Sequence, residues 1–378
     1  MLFKDLKTQY EVLREEIDTR IQSVLNRSAF ILGREVEELE ERLAGYVGRK
    51  HCVTCASGSD ALMLAMMAWG IGPGDAVIVP DFTFAATAGA ASVLGATPAF
   101  TDIDPETFTM DPGSLEKTIL QLLREGRLIP KVIIPVDLFG LPADYGRILP
   151  IADEYRLKVL EDGAQGFGGS IRGKRACSFG DISVTSFFPA KPLGCYGDGG
   201  ALFTDDDEAD ALLRSLRAQG RSPEDKYESV RTGINSRLDT LQAAVLLAKL
   251  TAFEDYELAQ TDLIARHYSS RLRHRFRTPL VPNGFASSWA QYTILLSGGE
   301  ERDLMREKLK EQEIPSMIYY PRGLHSMKAY DKPGYSDEQF PNTCSIAARC
   351  LSLPIHPYMK TEDVDRICAI LLDEPAGG

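Results

Sequence analysis

The chain has 378 residues, of which 44% are hydrophobic and 25% charged, a balance typical of a globular protein with enough apolar surface for large cores. Its formal net charge of -12 argues against a broad electrostatic surface for nucleic acid or an anionic membrane. A local basic pocket for a phosphate-bearing ligand remains compatible with that charge. We therefore expect a small-molecule partner, no nucleic acid and no membrane.

The N-terminal segment, MLFKDLKTQYEVLREEI, mixes charges of both signs and has neither the apolar core nor the cleavage site of a signal peptide. The longest nearly apolar run, residues 61–72, is shorter than the roughly 20 residues that a membrane-spanning helix needs. Seven cysteines are an odd number in a long chain, which favours free thiols in a reducing compartment. These features predict a cytoplasmic protein.

Apolar residues at helical spacing predict an amphipathic N-terminal helix with one packed face: Tyr10, Leu13, Ile17, Ile21, Val24 and Leu25. Beyond it, short β-rich runs alternate with helical patterns through the first two-thirds of the chain. The runs are HCVTCAS, AVIVP, ATPAFTDI, KVIIPVD, KVLED, ISVTSFF and GALFTDD. This alternation predicts βα units and a mainly parallel sheet covered by helices, with ligands bound beyond the carboxyl ends of the strands.

A long helical segment without glycine, residues 237–273, predicts a connector into a smaller domain. The strand-like runs AQYTILL and PSMIYY and a last helix near 361–373 would belong to that domain. We therefore expect residues 1–250 to form the N-terminal helix and a large domain, and residues 251–378 to form a small C-terminal domain.

Two motifs are better explained by structure than by chemistry. Cys52 and Cys55 form a lone C-x-x-C without a second pair, so we interpret them as small residues of a buried strand. Residues 168–175, GGSIRGKR, nearly match a phosphate-binding P-loop, but Arg175 occupies the position of the Mg-binding Ser or Thr. A turn between two strands explains that segment better. No G-x-G-x-x-G follows the first strand, so the signature of a nicotinamide dehydrogenase is missing too. We expect no metal site.

Two strand ends carry residues suited to a phosphorylated ring. Residues 57–60, SGSD, lie between a strand and a helix, where free backbone N–H groups and two hydroxyls suit an anion; an ordinary N-cap by Ser59 or Asp60 fits the same segment equally well. Asp162 ends the strand KVLED and is followed by small residues that would let a flat ligand approach. A carboxylate there would keep a pyridine nitrogen protonated, although a strand-end Asp is more often a cap or turn residue.

The strand ISVTSFF runs into PAKPLGCYGDGG, which places Lys191 between two prolines and a glycine-rich loop. A desolvated ammonium loses its proton easily and becomes a nucleophile for carbonyl groups. Lys191 is therefore a better candidate for covalent chemistry than an ordinary exposed loop lysine.

Taken in their order and spacing, SGSDAL, FTFAAT, EDGAQ, SFFPAK, GCYGDGGA, GINSRLDTLQAA and LSLPIHP resemble the sugar aminotransferases of the DegT/DnrJ/EryC1/StrS family. The resemblance covers nearly the whole chain. It implies a fold-type-I enzyme dependent on pyridoxal 5'-phosphate, with a large α/β domain around a mainly parallel sheet and a smaller C-terminal α/β domain. It also implies glutamate as the amino donor, 2-oxoglutarate as its product, and a homodimer with shared active sites.

The resemblance further implies a role for each site residue. Lys191 looks like the Schiff-base lysine and general acid/base, and Asp162 like the partner of the pyridine nitrogen. Phe84 would stack on the cofactor, and Gln165 would lie near its phenolic oxygen. Contacts to the cofactor phosphate would come from Gly58, Ser59, Asp60, Ser186 and, across a subunit interface, Asn235. Gly163 stands where alanine is frequent in the family, a departure that should matter little.

The family implies a nucleotide-linked keto-sugar as amino acceptor. The stretch SFFPAKPLGCYGDGGA looks most like enzymes that aminate C3 of a UDP-activated N-acetylated hexose or its uronic acid, for surface polysaccharides such as lipopolysaccharide. Candidates for holding this acceptor are Arg237 from the neighbouring subunit, Tyr320, Arg322 and His325. Each also has an ordinary interpretation, because arginines are usually solvated and loop histidines are usually structural.

Three other functions stay open at this point. The first is amination at C4 of a 4-keto-6-deoxy sugar nucleotide. The second is a cofactor-dependent sugar dehydratase, in which related proteins replace the lysine with histidine, so Lys191 argues against it. The third is a non-catalytic cofactor-binding regulator, which would need an added DNA-binding or sensing segment.

Overall fold

The computed structural model describes residues 1–222, 224–225, 227–330 and 334–374. The helices of this part of the chain are α1 (Leu6–Arg27), α2 (Arg34–Val47), α3 (Gly58–Ala68), α4 (Ala86–Val93), α5 (Pro112–Glu125), α6 (Tyr145–Tyr155), α7 (Asp207–Leu216), α8 (Thr240–Ala252), α9 (Leu258–Leu272), α10 (Gly299–Glu311), α11 (Pro341–Arg349) and α12 (Thr361–Leu371). The strands are β1 (His51–Cys55), β2 (Asp75–Pro80), β3 (Thr97–Thr101), β4 (Ile129–Ile133), β5 (Lys158–Asp162), β6 (Ser170–Ile171), β7 (Lys174–Arg175), β8 (Ile182–Ser186), β9 (Gly200–Thr204), β10 (Phe285–Ala286), β11 (Tyr292–Leu295) and β12 (Cys350–Leu353).

The central sheet contains, among the described residues, seven strands in the order β1-β9-β8-β5-β4-β2-β3. The neighbours from β8 to β3 pair in parallel, whereas β9 runs antiparallel to both β1 and β8. Most of these strands are buried runs rich in Val, Ile and Ala, as expected of a sheet covered on both faces. The predicted mainly parallel sheet is therefore confirmed.

Helices cover both faces of this sheet. On one face α3, α4 and α7 pack over alternate strand residues; on the other, α2 and α8 pack beside α5 and α6. Cys52 and Cys55 are three positions apart in β1 and join opposite apolar layers, as alternation along a strand requires. Both are buried free thiols, which confirms that this C-x-x-C is part of a strand.

The N-terminal helix α1 packs against α8, where Ile17 contacts a small cluster containing Val245 and Ala248. The predicted packed face is confirmed for most of its length, but Leu25 is 44% exposed. The helix begins at an N-cap, Asp5, whose carboxylate accepts a hydrogen bond from the backbone N–H of Thr8 at 2.9 Å. None of the described helices is both long enough and apolar enough to cross a membrane.

The P-loop-like segment folds as a hairpin of β6 and β7, with β10 as a third strand. Its two turn residues, Arg172 and Gly173, both have positive φ angles, 50° and 83°. Tight two-residue hairpins need such angles, which twist the turn to match the strands. The interpretation of this segment as a turn between strands is confirmed.

The C-terminal part builds a second core, in which α9, α10 and α12 pack on the antiparallel pair β11–β12. The predicted connector helix is present as α8 and α9, joined by a π-helical turn at Phe253–Glu257. The run PSMIYY was predicted as a strand, and this is wrong: only Met317 forms an isolated bridge, to Ser352 of β12. The division at residue 250 stays a prediction.

Candidate active site

Asp162 is the last residue of β5, and its side chain is only 4% exposed. Its Oδ2 accepts a 2.8 Å hydrogen bond from the Thr87 hydroxyl, and its Oδ1 accepts one of 3.2 Å from the Ala164 N–H. Burial raises the pKa of this carboxyl, whereas both hydrogen bonds and the positive charge of Lys191 oppose that rise. A buried carboxylate held in this way favours a cationic or N–H partner.

Lys191 lies in the loop after β8, in the electrostatic field of Asp162. Burial lowers the pKa of its amine, and the charge of Asp162 opposes the shift. Among the described residues its Nζ has no hydrogen-bond partner. The loop is fixed by backbone bonds and by Lys249, whose Nζ donates 2.8 Å to the Gly194 carbonyl. A buried amine of lowered pKa is a good nucleophile and proton acceptor.

Gln165 follows β5 and is held in one orientation from two sides. Its Oε1 accepts from the Phe139 N–H at 2.9 Å, and its Nε2 lies 3.2 Å from the Tyr320 hydroxyl. Phe84 stands beside Tyr320, with ring centroids 6.4 Å apart, yet 57% of Phe84 is exposed. An exposed aromatic ring at the start of α4, close to Asp162 through Thr87, suits a flat ligand.

The N-terminus of α3 meets the end of β8 at a close backbone approach. A Cβ added to Gly58 would lie 2.6 Å from the Cβ of Ser186, so only glycine fits there. The N-cap is Ser57, which accepts from the Asp60 N–H at 3.1 Å, rather than the predicted Ser59 or Asp60. The N–H groups of Gly58 and Ser59 have no hydrogen-bond partner among the described residues and are available to an anion, beside the hydroxyls of Ser59 and Ser186.

Ser236 was not predicted from the sequence as a site residue. It connects the segment GINSR, residues 233–237, to the N-terminus of α3. Its hydroxyl donates 2.6 Å to Asp60 and accepts 3.1 Å from the Ala56 N–H. Asn235, one position earlier, is exposed. Arg237, one position later, has a buried Nε without a hydrogen-bond partner among the described residues.

The four predicted acceptor residues differ in burial and in their contacts. Arg322 is exposed, and Tyr320 contacts Gln165 as described above. His325 is buried, with Nδ1 2.7 Å from Asp81 and Nε2 2.9 Å from Asp337. Burial lowers the pKa of His325, but hydrogen bonds to these two carboxylates outweigh it and raise the pKa above its usual value. As folded, the ring therefore has both nitrogens engaged and ties the loop after β2 to the C-terminal part.

His325 also belongs to a small cluster with Asp337 and Cys344, whose potential ligand atoms all lie within 4.8 Å of one another. Hydrogen bonds account for this grouping. Asp337 is bonded to His325, and its backbone carbonyl lies 3.8 Å from the Cys344 sulfur. We therefore assign the cluster no metal.

The model of the DegT/DnrJ/EryC1/StrS aminotransferase family matches residues 11–372. The chain belongs to this family. It is therefore an enzyme of the aminotransferase class. Lys191, Asp162 and Gly58 lie in the segments SFFPAK, EDGAQ and SGSDAL, on which the resemblance to this family was based.

Two relatives from bacteria match over almost their whole length. The UDP-2-acetamido-2-deoxy-3-oxo-D-glucuronate aminotransferase of Pseudomonas aeruginosa is 44% identical, over 98% of this chain and 99% of that protein. The UDP-N-acetyl-3-dehydro-alpha-D-glucosamine 3-aminotransferase of Acidithiobacillus ferrooxidans is 40% identical, over 97% of this chain and 96% of that protein.

Solved structures confirm the fold-type-I architecture. A DegT/DnrJ/EryC1/StrS aminotransferase from Brucella abortus superposes with a TM-score of 0.94 at 46% identity, covering 99% of both chains. NtdA from Bacillus subtilis, solved with bound cofactor PMP, superposes with a TM-score of 0.86 at 30% identity, covering 96% of this chain and 81% of NtdA.

Proposed function

We propose that this family member transfers the amino group of glutamate to C3 of a UDP-linked 3-keto-N-acetylhexose or its uronic acid. One observation carries the chemistry. Asp162, a buried carboxylate, ends β5, and Lys191, a partly buried amine without a hydrogen-bond partner among the described residues, lies in the loop after the adjacent strand β8. The acceptor is inferred from the two relatives, whose names specify 3-oxo or 3-dehydro UDP-sugars. The dehydratase alternative is disfavoured because the reactive position is Lys191 and not histidine.

Pyridoxal 5'-phosphate is the cofactor, and the residues present fit it. The buried carboxylate of Asp162 suits the pyridine nitrogen, and the exposed ring of Phe84 suits a stacked aromatic. The close contact of Gly58 with Ser186 leaves a helix N-terminus open to the phosphate. When bound, the cofactor supplies a carbonyl for the amine and an electron sink for the carbon that loses its proton.

Lys191 would act as the acid and base of both half-reactions. Because burial lowers the pKa of its amine, Nζ takes a proton from the donor carbon and later returns one to the acceptor carbon. Asp162, oriented by Thr87 and by the Ala164 N–H, would hold the proton of the pyridine nitrogen. Gln165 would contribute its amide near the phenolic oxygen.

The acceptor's diphosphate requires cationic contacts in spite of the acidic composition. Arg237 from the neighbouring subunit is the strongest candidate, because its buried Nε lacks a partner within the described chain and its motif adjoins the helix terminus. Tyr320 and the exposed Arg322 would contact the sugar or the nucleotide. For His325 the same role requires that its bond to Asp81 or Asp337 be given up.

A homodimer would complete this site. Three consecutive exposed apolar residues, Phe30, Ile31 and Leu32, adjoin the GINSR segment, since Ile31 pairs with Asp239. Exposed apolar surface beside an exposed Asn235 favours an interface between two copies. Asn235 would then contact the phosphate held by the partner.

The cellular setting is part of the proposal. The seven cysteines are all free thiols, and most are buried, which suits a reducing compartment such as the cytoplasm. A 3-amino UDP-sugar made there would supply the synthesis of surface polysaccharide, including lipopolysaccharide.

A direct test offers the purified protein glutamate and, separately, the 3-keto forms of UDP-N-acetylglucosamine and UDP-N-acetylglucuronic acid, and reads products by mass. We expect an aminated sugar nucleotide and 2-oxoglutarate in equal amounts. 4-Keto-6-deoxy sugar nucleotides are offered as well. If the protein aminates only these, the reaction takes place at C4 and the proposed position is wrong. If only amino acids and small 2-oxo acids exchange, the proposed sugar specificity is wrong.

A further inference from the structure

A pocket of about 530 Å³, including space open to solvent, lies beside Lys191. Five parts of the chain enclose it: the segment before and at the start of α1, the loop of residues 189–192, the residues around Glu257, residues 288–289, and the loop after β12. Asp162, Gln165 and Phe84 are not among its lining residues within the described chain. The pocket is therefore next to the region assigned to the cofactor, and Lys191 faces both.

Two lining residues carry polar groups that the fold leaves unused. Lys4 is partly buried, and its Nζ has no hydrogen bond or ion pair among the described residues. Burial and the charge of Lys191 lower the pKa of Lys4 to about 8. His356 is only 7% exposed, and its buried Nδ1 has no hydrogen-bond partner among the described residues. Such an orphaned nitrogen is costly unless a ligand or an ordered water satisfies it.

The acidic groups of the pocket are already engaged. Asp5 caps α1 and accepts hydrogen bonds from the Thr8 N–H and hydroxyl, at 2.9 and 2.8 Å. Glu257 accepts from the Gln9 amide at 2.9 Å and from the Tyr358 hydroxyl. Neither carboxylate pairs with Lys4, although both add negative charge nearby.

The unused donors of Lys4 and His356, together with the engaged carboxylates of Asp5 and Glu257, favour a ligand with a single negative charge. A cation and an N–H donor match an anionic group, because both can donate to its oxygens. Two carboxylates in the lining disfavour a doubly charged phosphate and leave a singly charged, planar carboxylate as the better fit. The neutral His356 ring can place its proton on Nδ1 and donate there, since burial and the nearby Lys4 lower its pKa to about 4.

We propose that Lys4 and His356 bind a carboxylate of a substrate in the pocket beside Lys191. The inference rests on the proposed function, because the amino donor and a uronic acid acceptor both carry a carboxylate beyond the reacting carbon. Lys4 thereby becomes a specificity-determining residue, located in the segment before α1 and 187 positions before the lysine it adjoins.

The test compares Lys4→Met and Lys4→Arg with the matched control Lys7→Met, whose exposed ammonium lies 3.8 Å from Glu11. Calorimetry on the cofactor-loaded protein measures the Kd of three ligands that cannot turn over: glutarate, UDP-N-acetylglucuronic acid and UDP-N-acetylglucosamine, whose sugar carries no carboxylate. A lost charge-assisted hydrogen bond should raise the Kd of a carboxylate ligand about tenfold or more. Lys4→Arg should restore much of the affinity.

The three ligands distinguish the sources of the carboxylate. Weaker binding of glutarate alone assigns the pocket to the amino donor, whereas weaker binding of the uronate alone assigns it to the acceptor. UDP-N-acetylglucosamine and Lys7→Met should show no change. Equal affinities of wild type and Lys4→Met for both carboxylate ligands overturn the inference. Failure of the wild type to aminate any keto-sugar overturns the proposed function instead, since the binding data do not depend on turnover.

The second residue is tested by His356→Asn, which keeps a polar group of smaller size. The proposal requires that this variant, when its circular dichroism and cofactor content match wild type, bind the same carboxylate ligand more weakly. If it binds that ligand normally, His356 is not part of the carboxylate site.

Discussion

The Thr87 hydroxyl donates a 2.8 Å hydrogen bond to Oδ2 of Asp162, and this bond joins the first turn of α4 to the end of β5. Both side chains are buried, so the carboxylate cannot turn toward water. The bond is local in space but spans 75 positions in sequence. It therefore sets the direction in which Asp162 presents its second oxygen.

Thr87→Val should reduce kcat about tenfold, because a buried carboxylate that loses one charged hydrogen bond becomes less well oriented. Thr87→Ser should restore most of the activity. Steady-state kinetics and cofactor content measure both effects. Thr118→Val is the control, since Thr118 donates to a helix carbonyl in α5. A Thr87→Val enzyme with normal kcat would show that the bond does not serve catalysis.

Asp162→Asn should slow proton transfer by about a hundredfold or more, because a neutral amide does not stabilise a protonated pyridine nitrogen. Cofactor retention should fall much less, since the phosphate contacts proposed at α3 would remain. Stopped-flow spectroscopy of the glutamate half-reaction and a cofactor assay separate the two effects. Full activity at full occupancy would place Asp162 away from the nitrogen.

Lys191→Ala should lose transamination, and borohydride reduction of the wild type should attach the cofactor to the peptide containing Lys191. A label on another lysine would refute the assignment. The sign of the pH dependence follows from the pKa: only the neutral amine accepts a proton, so the half-reaction rate rises with pH. Because burial lowers that pKa, the rise should be complete below the ordinary value of 10.5. In Asp162→Asn the residual rate should rise at lower pH still, since the opposing charge is gone.

The buried pair His325–Asp81 predicts how stability depends on pH. The folded-state pKa of His325 is raised, so its contribution is complete below the unfolded pKa of about 6.5 and is lost as pH rises through the folded value. His325→Gln should therefore lower Tm more at pH 6 than at pH 9. Thermal melts of both proteins at the two pH values measure this difference. The exposed His274→Gln is the control, and a Tm loss independent of pH would contradict the raised pKa.

The sequence was informative where function depends on local pattern. Lys191 and Asp162 could be proposed as site residues because Asp162 ends a strand, Lys191 follows one in a short loop, and small or rigid residues come after each. The hydrogen bonds of His325 could not be predicted in the same way, because its partner Asp81 lies 244 positions away. The position of Lys4 could not be predicted for a related reason, since it lines the same pocket as Lys191 although 187 positions separate the two residues. The strand predicted at PSMIYY is limited to one bridge, at Met317. The residues that follow, 318–320, pack their side chains against the apolar cluster around Phe82 and Phe139.

The last prediction concerns shared active sites. If Asn235 contacts the phosphate of the partner's cofactor, each active site combines Lys191 of one chain with Asn235 of the other. An Asn235→Ala chain and a Lys191→Ala chain then each lack a different one of these two residues. In a mixed dimer one of the two sites receives both intact residues. Mixing two inactive variants and allowing subunit exchange should therefore recover about a quarter to a half of wild-type activity per cofactor. Exchange is verified by mass spectrometry of chains carrying different tags. A mixture of Lys191→Ala with Asp162→Asn, two residues of the same chain's site, is the control: its mixed dimers contain no intact site, so its activity should not exceed that of its parents. Equal behaviour of the two mixtures, after exchange is confirmed, would mean that each chain builds its site alone.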